Sequence, residues 1–355
     1  MEPKENIGFA CAYTPLPLID AAGYAPFRIL PVGDFPDQAG QLLHDNLCPH
    51  IKRILDRAMS GDLPDLAGAV FINSCDAMRR MADAWIDIHK IDTRKNGRTI
   101  LIDLPATADS LSISFFRDEL VRAADALADW RGKKIEPEAI AASIDKYNEI
   151  SGLLVQIAQK FRQGRLDGGT AALQKIYNQA ATSPFDDTLV RLKQLQDAPD
   201  SDAPKNKGVP VFLFGNVMPD PEAFEMIESC GAAIMNDDFC TGSRMFAPIA
   251  DDDAGDVFSR MAEALLTRQP CARTFDPARP GKIAEDVLNN AKAAQALGVI
   301  GHTVKFCDPY LERLPFIREA LKNAGMPLLL LEGDCSLRSI GQQKTRIEAF
   351  IEMLR

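Results

Sequence analysis

An α/β fold is predicted for this chain, with two parallel-sheet units over residues 1–130 and 208–355 and a helical stretch and linker over 131–207. Three observations carry the prediction. Short apolar runs alternate with amphipathic helical patterns near the start. The strand signal then disappears in the middle third, and the alternation returns after a polar linker. Alternation of this kind builds a parallel sheet with helices on both faces. A length of 355 residues fits two or three compact units.

Taken in order, "IGFACAY" is a strand running into the helix "TPLPLIDAAG", where Thr14 is the expected cap, Pro15 the first helical position and Gly23 the stop. "PFRILPV" is the next strand, and a helix covers roughly residues 45–59. Strand "AGAVFIN", helix "DAMRRMADAWIDI", strand "RTILIDLP" and helix "DSLSISFFRDELVRAADALADW" complete the first unit. The middle third opens with Ile140, Ile144, Tyr147, Ile150 and Leu154 at helical spacing, continues with two shorter helices, and ends in the linker 196–208. The second unit runs from strand "VPVFLFGN" through helix "DPEAFEMIESCG" and strand "AAIMNDDF" to helices near 252–267 and 282–296. Strand "LGVIGHTVKF", helix "LPFIREALKNAG" and strand "MPLLLLEGD" follow, and a last helix puts Ile347, Phe350, Ile351 and Leu354 on one face.

A hydrophobic share of 46% and a charged share of 25% are those of an ordinary globular protein. The opening "MEPKENIGFACAY" carries acids and only a short apolar stretch, unlike a secretory leader, and no apolar run approaches the ~20 residues of a membrane helix. A cytoplasmic protein without a membrane partner is expected. A net charge of −10 argues against nucleic acid, since binding phosphate needs a basic surface.

Eight cysteines, at 11, 48, 75, 230, 240, 271, 307 and 335, include no Cys-x-x-Cys pair, so a local zinc or ferredoxin motif is excluded. In a reducing compartment they are not expected to pair, and each alone can be a small buried hydrophobe. Two of them share a context. "FINSCDAMRR" and "VKFCDPYLER" each end a strand in Cys-Asp ahead of a helix, so Cys75 and Cys307 hold equivalent places in the two units. Ligands of open parallel sheets bind beyond the carboxyl ends of strands. Two such sheets facing each other would bring Cys11, Cys75 and Cys307 into one cleft. Three thiolates there suit an iron–sulfur cube with one open position, and nearby helix N-termini would offset its negative charge. Asp76 and Asp308 are read as helix caps.

"FACAYTPLPLIDAAGYAPFRI", "NSCDAMRRM", "LPATADSLSISFFRDELVRA", "VKFCDPYLERLP" and "LEGDCSLRSIGQQKTRIEAFIEML" together resemble the 2-hydroxyacyl-CoA dehydratase/benzoyl-CoA reductase family, in its smaller D-component iron–sulfur subunits. The resemblance covers essentially the whole chain. It implies two flavodoxin-like domains facing each other across a metal-cluster cleft, with a helical insertion. It also implies a separate ATP-hydrolysing iron–sulfur activator that delivers a low-potential electron, and an acyl-CoA thioester as substrate of dehydration or ring reduction. By motif, the family's cluster cysteines fall on Cys11, Cys75 and Cys307. A subgroup with a double-cubane cluster uses six cysteines, which here adds Cys48, Cys240 and Cys271. The cofactor is then an [8Fe-9S] double cubane or, without the second triad, a [4Fe-4S] cube. Cys240 discriminates between the two.

Cys230 reads as core, and Cys335 is left outside the ligand set. Weak catalytic candidates are His302, Glu332 and Asp334, with Gln342 and Arg346 as further polar contacts near the same sheet. A partner is expected, either a homologous subunit in a heterodimer or a second copy in a homodimer. Two alternatives accompany the main reading: a homodimeric double-cubane reductase of small molecules without CoA, and a non-catalytic electron relay for a larger homologous subunit. No phosphate-binding glycine motif follows a strand, so the substrate is not legible.

Overall fold

The computed structural model describes residues 3–33, 36–91, 97–201, 207–250, 255–335 and 340–355, with the side chains of residues 90 and 91 left aside. Its first sheet contains β1 (Asn6–Phe9), β2 (Ala25–Arg28), β3 (Leu66–Asn73) and β4 (Thr99–Asp103), all parallel, in the order β2-β1-β3-β4. The second contains β5 (Val209–Gly215), β6 (Ala232–Asp238), β7 (Gly298–Val304) and β8 (Leu328–Gly333), in the equivalent order β6-β5-β7-β8. This is the flavodoxin-like order, and it occurs twice. In each sheet the winding reverses beside the first strand, which puts one switch crevice between β1 and β3 and the other between β5 and β7.

Side chains alternate across both sheets, as the two-residue period of a strand requires. In β3, Val70 and Ile72 enter one core while Ala69 and Phe71 enter the core on the opposite face. In β5, Val211 and Leu213 face one way, and Phe212 and Phe214 the other. The first sheet is covered by α1 (Leu16–Ala21) and α4 (Ser110–Arg131) on one face, and by α2 (Pro49–Ser60) and α3 (Asp76–Ile91) on the other. The middle third supplies α5 (Pro137–Arg162), α6 (Gly169–Thr182) and α7 (Phe185–Asp197). Their apolar faces extend the α1–α4 core, with Ile140, Ile144, Tyr147, Ile150 and Leu154 all buried. The second sheet is covered by α8 (Pro221–Ser229) and α12 (Lys344–Met353) on one face, and by α10 (Lys282–Ala293) and α11 (Asp308–Asn323) on the other.

Helices α6 and α9 (Val257–Thr267) cross between the two units, α6 by setting Ala171 in the core of the second sheet against α8. The segment from Met245 to Ile249 and helix α9 follow β6 in the chain, yet Met245, Phe246, Ile249, Met261, Leu265 and Leu266 are buried in the core of the first sheet. There α9 packs along α4. The expected helix at 252–267 thus starts at Val257, and residues 251–254 lie outside the described set, as do 202–206 of the expected linker.

Local capping corrects several expectations. Thr14 does not cap α1: Pro15 holds the N-cap position and the Thr14 hydroxyl has no partner, while Gly23 at φ +83° does close the turn. Strand β2 stops at Arg28 rather than Val32. Helix α11 begins at Asp308, not Leu314, and carries Pro315 inside it, so Cys307 is its N-cap and Asp308 lies in its first turn. Among the described residues no helix is long and apolar enough to cross a membrane.

Gly215, at the end of β5, is a point of close approach. A Cβ there would run into the His302 carbonyl oxygen and stand 2.6 Å from the Phe239 ring. Gly215→Ala is expected to cost about 1–3 kcal/mol through forced displacement of packed backbone. An unchanged urea midpoint would refute the close packing of β5 on β7.

Candidate metal centre

The carboxyl ends of both sheets point at a common cleft. Cys11 lies just beyond β1 and Cys75 just beyond β3, so the two flank the first switch crevice. Cys307 follows β7 beside the second crevice, and Cys240 follows the neighbouring edge strand β6. Cys48 holds the N-cap position of α2. One contact cluster contains Cys48 and Cys335, both buried, and packs against Cys11, Cys75, Cys240 and Cys307. Cys11 and Cys240 also border the first-sheet core that Cys271 packs against. Electrostatic interactions link Cys271 to Cys11, Cys75 and Cys307, and Cys48 to Cys75 and Cys307. The six cysteines expected in the cleft are therefore brought to it, three from each half of the chain.

Cys335 is a seventh, which sequence reasoning left aside; it is electrostatically close to Cys48 and Cys240. Cys230 lies elsewhere, in the core between β5 and α8. All eight are unbonded thiols. Among the described residues no three His, Cys, Asp or Glu side chains converge tightly enough to hold a single metal ion.

The thiols are electrostatically costly to ionise. Burial pushes Cys11 and Cys307 up to about 12 and Cys48 up to about 11, and it raises Cys75, Cys271 and Cys335 in the same direction. Mutual repulsion among the sulfurs adds to this. Weaker opposing contacts come from helix N-termini: the His50 and Ile51 N–H groups face Cys48, those of Ala77 and Met78 face Cys75, and that of Tyr310 faces Cys307. At α2 and α11 they close no capping hydrogen bond with the sulfur, so those donors remain aimed at the cleft.

Polar side chains complete the lining. The Ser74 hydroxyl reaches both Cys11 and Cys75. Asn216, at the end of β5, accepts from the Val217 and Val304 N–H groups through Oδ1 and directs its amide toward Cys307. The "DDFCTGSR" turn is built around Asp237, whose carboxylate accepts from the Phe239 and Ser243 N–H groups, while Cys240 N–H donates to the Asn216 carbonyl. Behind it, buried Arg244 pairs with Asp238 at 3.0 Å and donates to the Gly215 carbonyl at 2.7 Å, and the Tyr310 hydroxyl donates to the same oxygen. Arg28, at the end of β2, donates to the Cys240 carbonyl and stands 3.5 Å from its Sγ. These residues escaped sequence reasoning. The visible signal for Arg28 is a single charge inside the otherwise apolar run "PFRILPV".

The weak catalytic candidates separate. His302 is buried in β7 with neither ring nitrogen partnered, and burial pushes its imidazole down to about 4, so it is neutral near pH 7. Glu332 and Asp334 are exposed. Glu332 lines a surface groove with Arg318 and Arg346, and Arg346 donates to the Leu330 carbonyl. Beside the Cys271 turn opens a pocket of about 570 Å³ lined by Thr107, Arg268, Thr274, Phe275, Arg279 and Lys282, among others.

Twinned parallel sheets of flavodoxin-like order, with thiols gathered across their switch points, define a doubly wound α/β protein. The chain belongs to the family described as 2-hydroxyglutaryl-CoA dehydratase, D-component, whose model matches residues 11–354. It is similar to the (R)-phenyllactyl-CoA dehydratase beta subunit of Clostridium sporogenes, at 25% identity over 99% of this chain and 92% of that one. It is also similar to the lactoyl-CoA dehydratase subunit beta of Anaerotignum propionicum, at 24% over 99% and 92%. A benzoyl-CoA reductase subunit of Thauera aromatica is 23% identical over 92% of this chain and 84% of its own length.

Proposed function

We propose that this chain is an iron–sulfur subunit that receives low-potential electrons from an ATP-dependent activator and acts, with a partner subunit, on an acyl-CoA thioester. The observation that carries this reading is the gathering of Cys11, Cys48, Cys75, Cys240, Cys271 and Cys307 in one buried cleft. The donor set fits such a cofactor. Soft thiolates select iron–sulfur clusters. In a cube each thiolate binds a different iron, so its ligands stand farther apart than those of a single ion. Coordination would also remove the burden of six desolvated thiols, because a bound sulfur is held as thiolate.

When bound, the cluster supplies one-electron chemistry at low potential. The chain's own residues hold it in place and keep water out. The family pattern would give Cys11, Cys75 and Cys307 as one triad and Cys48, Cys240 and Cys271 as the second, whereas the electrostatic links join Cys11 to Cys240 and Cys271, and Cys48 to Cys75 and Cys307. Ser74 and Asn216 would direct hydrogen bonds to sulfur, and the first turns of α2, α3 and α11 would add backbone N–H groups. The pocket beside Cys271, with Arg279 and Lys282 at its wall paired to Asp276 and Asp286, offers a route to the cleft. The relatives named as dehydratase and reductase subunits support a homologous partner chain.

The presence of Cys240 in the same contact cluster favours the double cubane, and with it the second reading: a homodimeric reductase of small molecules without CoA. Iron and acid-labile sulfide, counted per chain after anaerobic purification, test both. About eight irons support the double cubane and about four the single cube. Cys240→Ser is expected to halve the larger count and leave the smaller unchanged. A chain that binds no iron under reconstitution overturns the proposal.

A further inference from the structure

Arg28 is 1% exposed, yet among the described residues no carboxylate pairs with it. It donates to the carbonyls of Cys240 and Ala10 and to Met245 Sδ, one Nη lies 3.5 Å from Cys240 Sγ, and Nε has no partner among the described residues. A second guanidinium, Arg268, stands one layer back at 8% exposure. It donates to the Ala12 carbonyl at 2.8 Å and the Met245 carbonyl at 3.4 Å and lies over the Tyr13 ring, with no carboxylate partner among the described residues. The third buried arginine nearby, Arg244, is neutralised by Asp238. Arg28 and Arg268 thus lack a carboxylate partner among the described residues, while Asp308 and Asp334 act on Cys48 and Cys335 from other sides of the cleft.

Arginine does not shed its proton in a protein, so it cannot escape burial by becoming neutral. A buried charge without an opposite charge is strongly unfavourable, and carbonyl partners offset only part of the lost hydration. An anionic occupant of the cleft would supply the missing partner, and Arg28 faces the loop that delivers Cys240 to it.

We propose that Arg28, backed by Arg268, is the built-in counter-charge of an anionic thiolate-bound cluster in this cleft and raises that group's reduction potential. The inference rests on the cluster reading above and deepens it by giving Arg28 a positioning and tuning role. A fixed positive charge and N–H donors beside sulfur stabilise the reduced, more negative state.

The test compares wild type, Arg28→Met and Arg28→Lys, each iron-free and after anaerobic reconstitution with iron and sulfide. Thermal midpoints are read in both states, and the reduction potential by titration followed by electron paramagnetic resonance. Iron-free R28M is expected to melt above iron-free wild type, because a buried unpaired cation is gone. Loaded R28M is expected to melt below loaded wild type. Its potential should fall by at least about 59 mV, a tenfold change in a one-electron equilibrium. R28K should keep most of the wild-type potential. A purely structural role lowers both melting points and leaves the potential in place, and that outcome overturns the proposal. If R28M does not fold, Arg268→Met is read on the same axes: a lowered potential supports the proposal and an unchanged one refutes it. Wild type without iron after reconstitution ends the cluster reading, whereas iron-free R28M melting above iron-free wild type would still reveal a cation awaiting an anion.

Discussion

Alanine at Cys11, Cys75 or Cys307 is expected to remove most of the iron from anaerobically purified protein. The three sulfurs stand at the ends of β1, β3 and β7, on strands held rigidly by both layers of helices. Each holds its place through its strand, so removal of one leaves its position without a thiol. The helical content should stay the same, because these thiols are only partly buried and the strands they follow are packed independently of them. Iron content and far-ultraviolet circular dichroism, measured on the same preparations, check this. Full iron in all three variants would remove these cysteines from the ligand set.

The second large effect is on stability. Asp238→Asn is expected to destabilise the protein by about 3–5 kcal/mol, the usual consequence of leaving one member of a buried ion pair alone. The side chains of Arg244 and Asp238 are only 3% and 5% exposed. Arg244 also ties together the Gly215 carbonyl and the Tyr310 hydroxyl, which join the end of β5 to the start of α11. Its uncompensated charge would thus be felt at the second switch crevice. Chemical denaturation gives the number, and a midpoint equal to wild type would show that Arg244 reaches another anion.

The architecture was largely legible because its signals are local. Alternating strand and helix patterns, the polar stretch after α7 and the glycine at the end of α1 all act over a few residues. The cysteine positions were legible for a related reason: a thiol at a strand end, ahead of a helix, has its place fixed by the sheet. Errors arose where two local rules competed. Thr14 and Pro15 both suit a helix start, and the backbone placed the proline at the cap. Pro315 reads as a helix opener, but Pro309 opens the helix one strand-end earlier and Pro315 is tolerated inside.

What the sequence withheld is tertiary. An arginine in a strand carries no mark of whether a carboxylate will meet it, so the isolation of Arg28 appears only once the chain is folded. Cys335 likewise looks like any thiol after "LEGD" until Cys48 and Cys240 are seen near it. The pattern of α9 shows which face is apolar; it does not say that the first sheet's core, across the cleft, will cover it.

That crossing of α9 decides how the molecule can breathe. In a clamshell protein two lobes swing apart about a hinge and expose whatever lies between them. Here such a swing would pull Met261, Leu265 and Leu266 out of the opposite lobe. Each fully buried side chain of this kind contributes about 1.5–3 kcal/mol. The lobes are latched, and the latch lies beside the thiols it guards. The same helix contributes Leu266 to the wall of the pocket beside the Cys271 turn, so opening the lobes would also reshape that pocket.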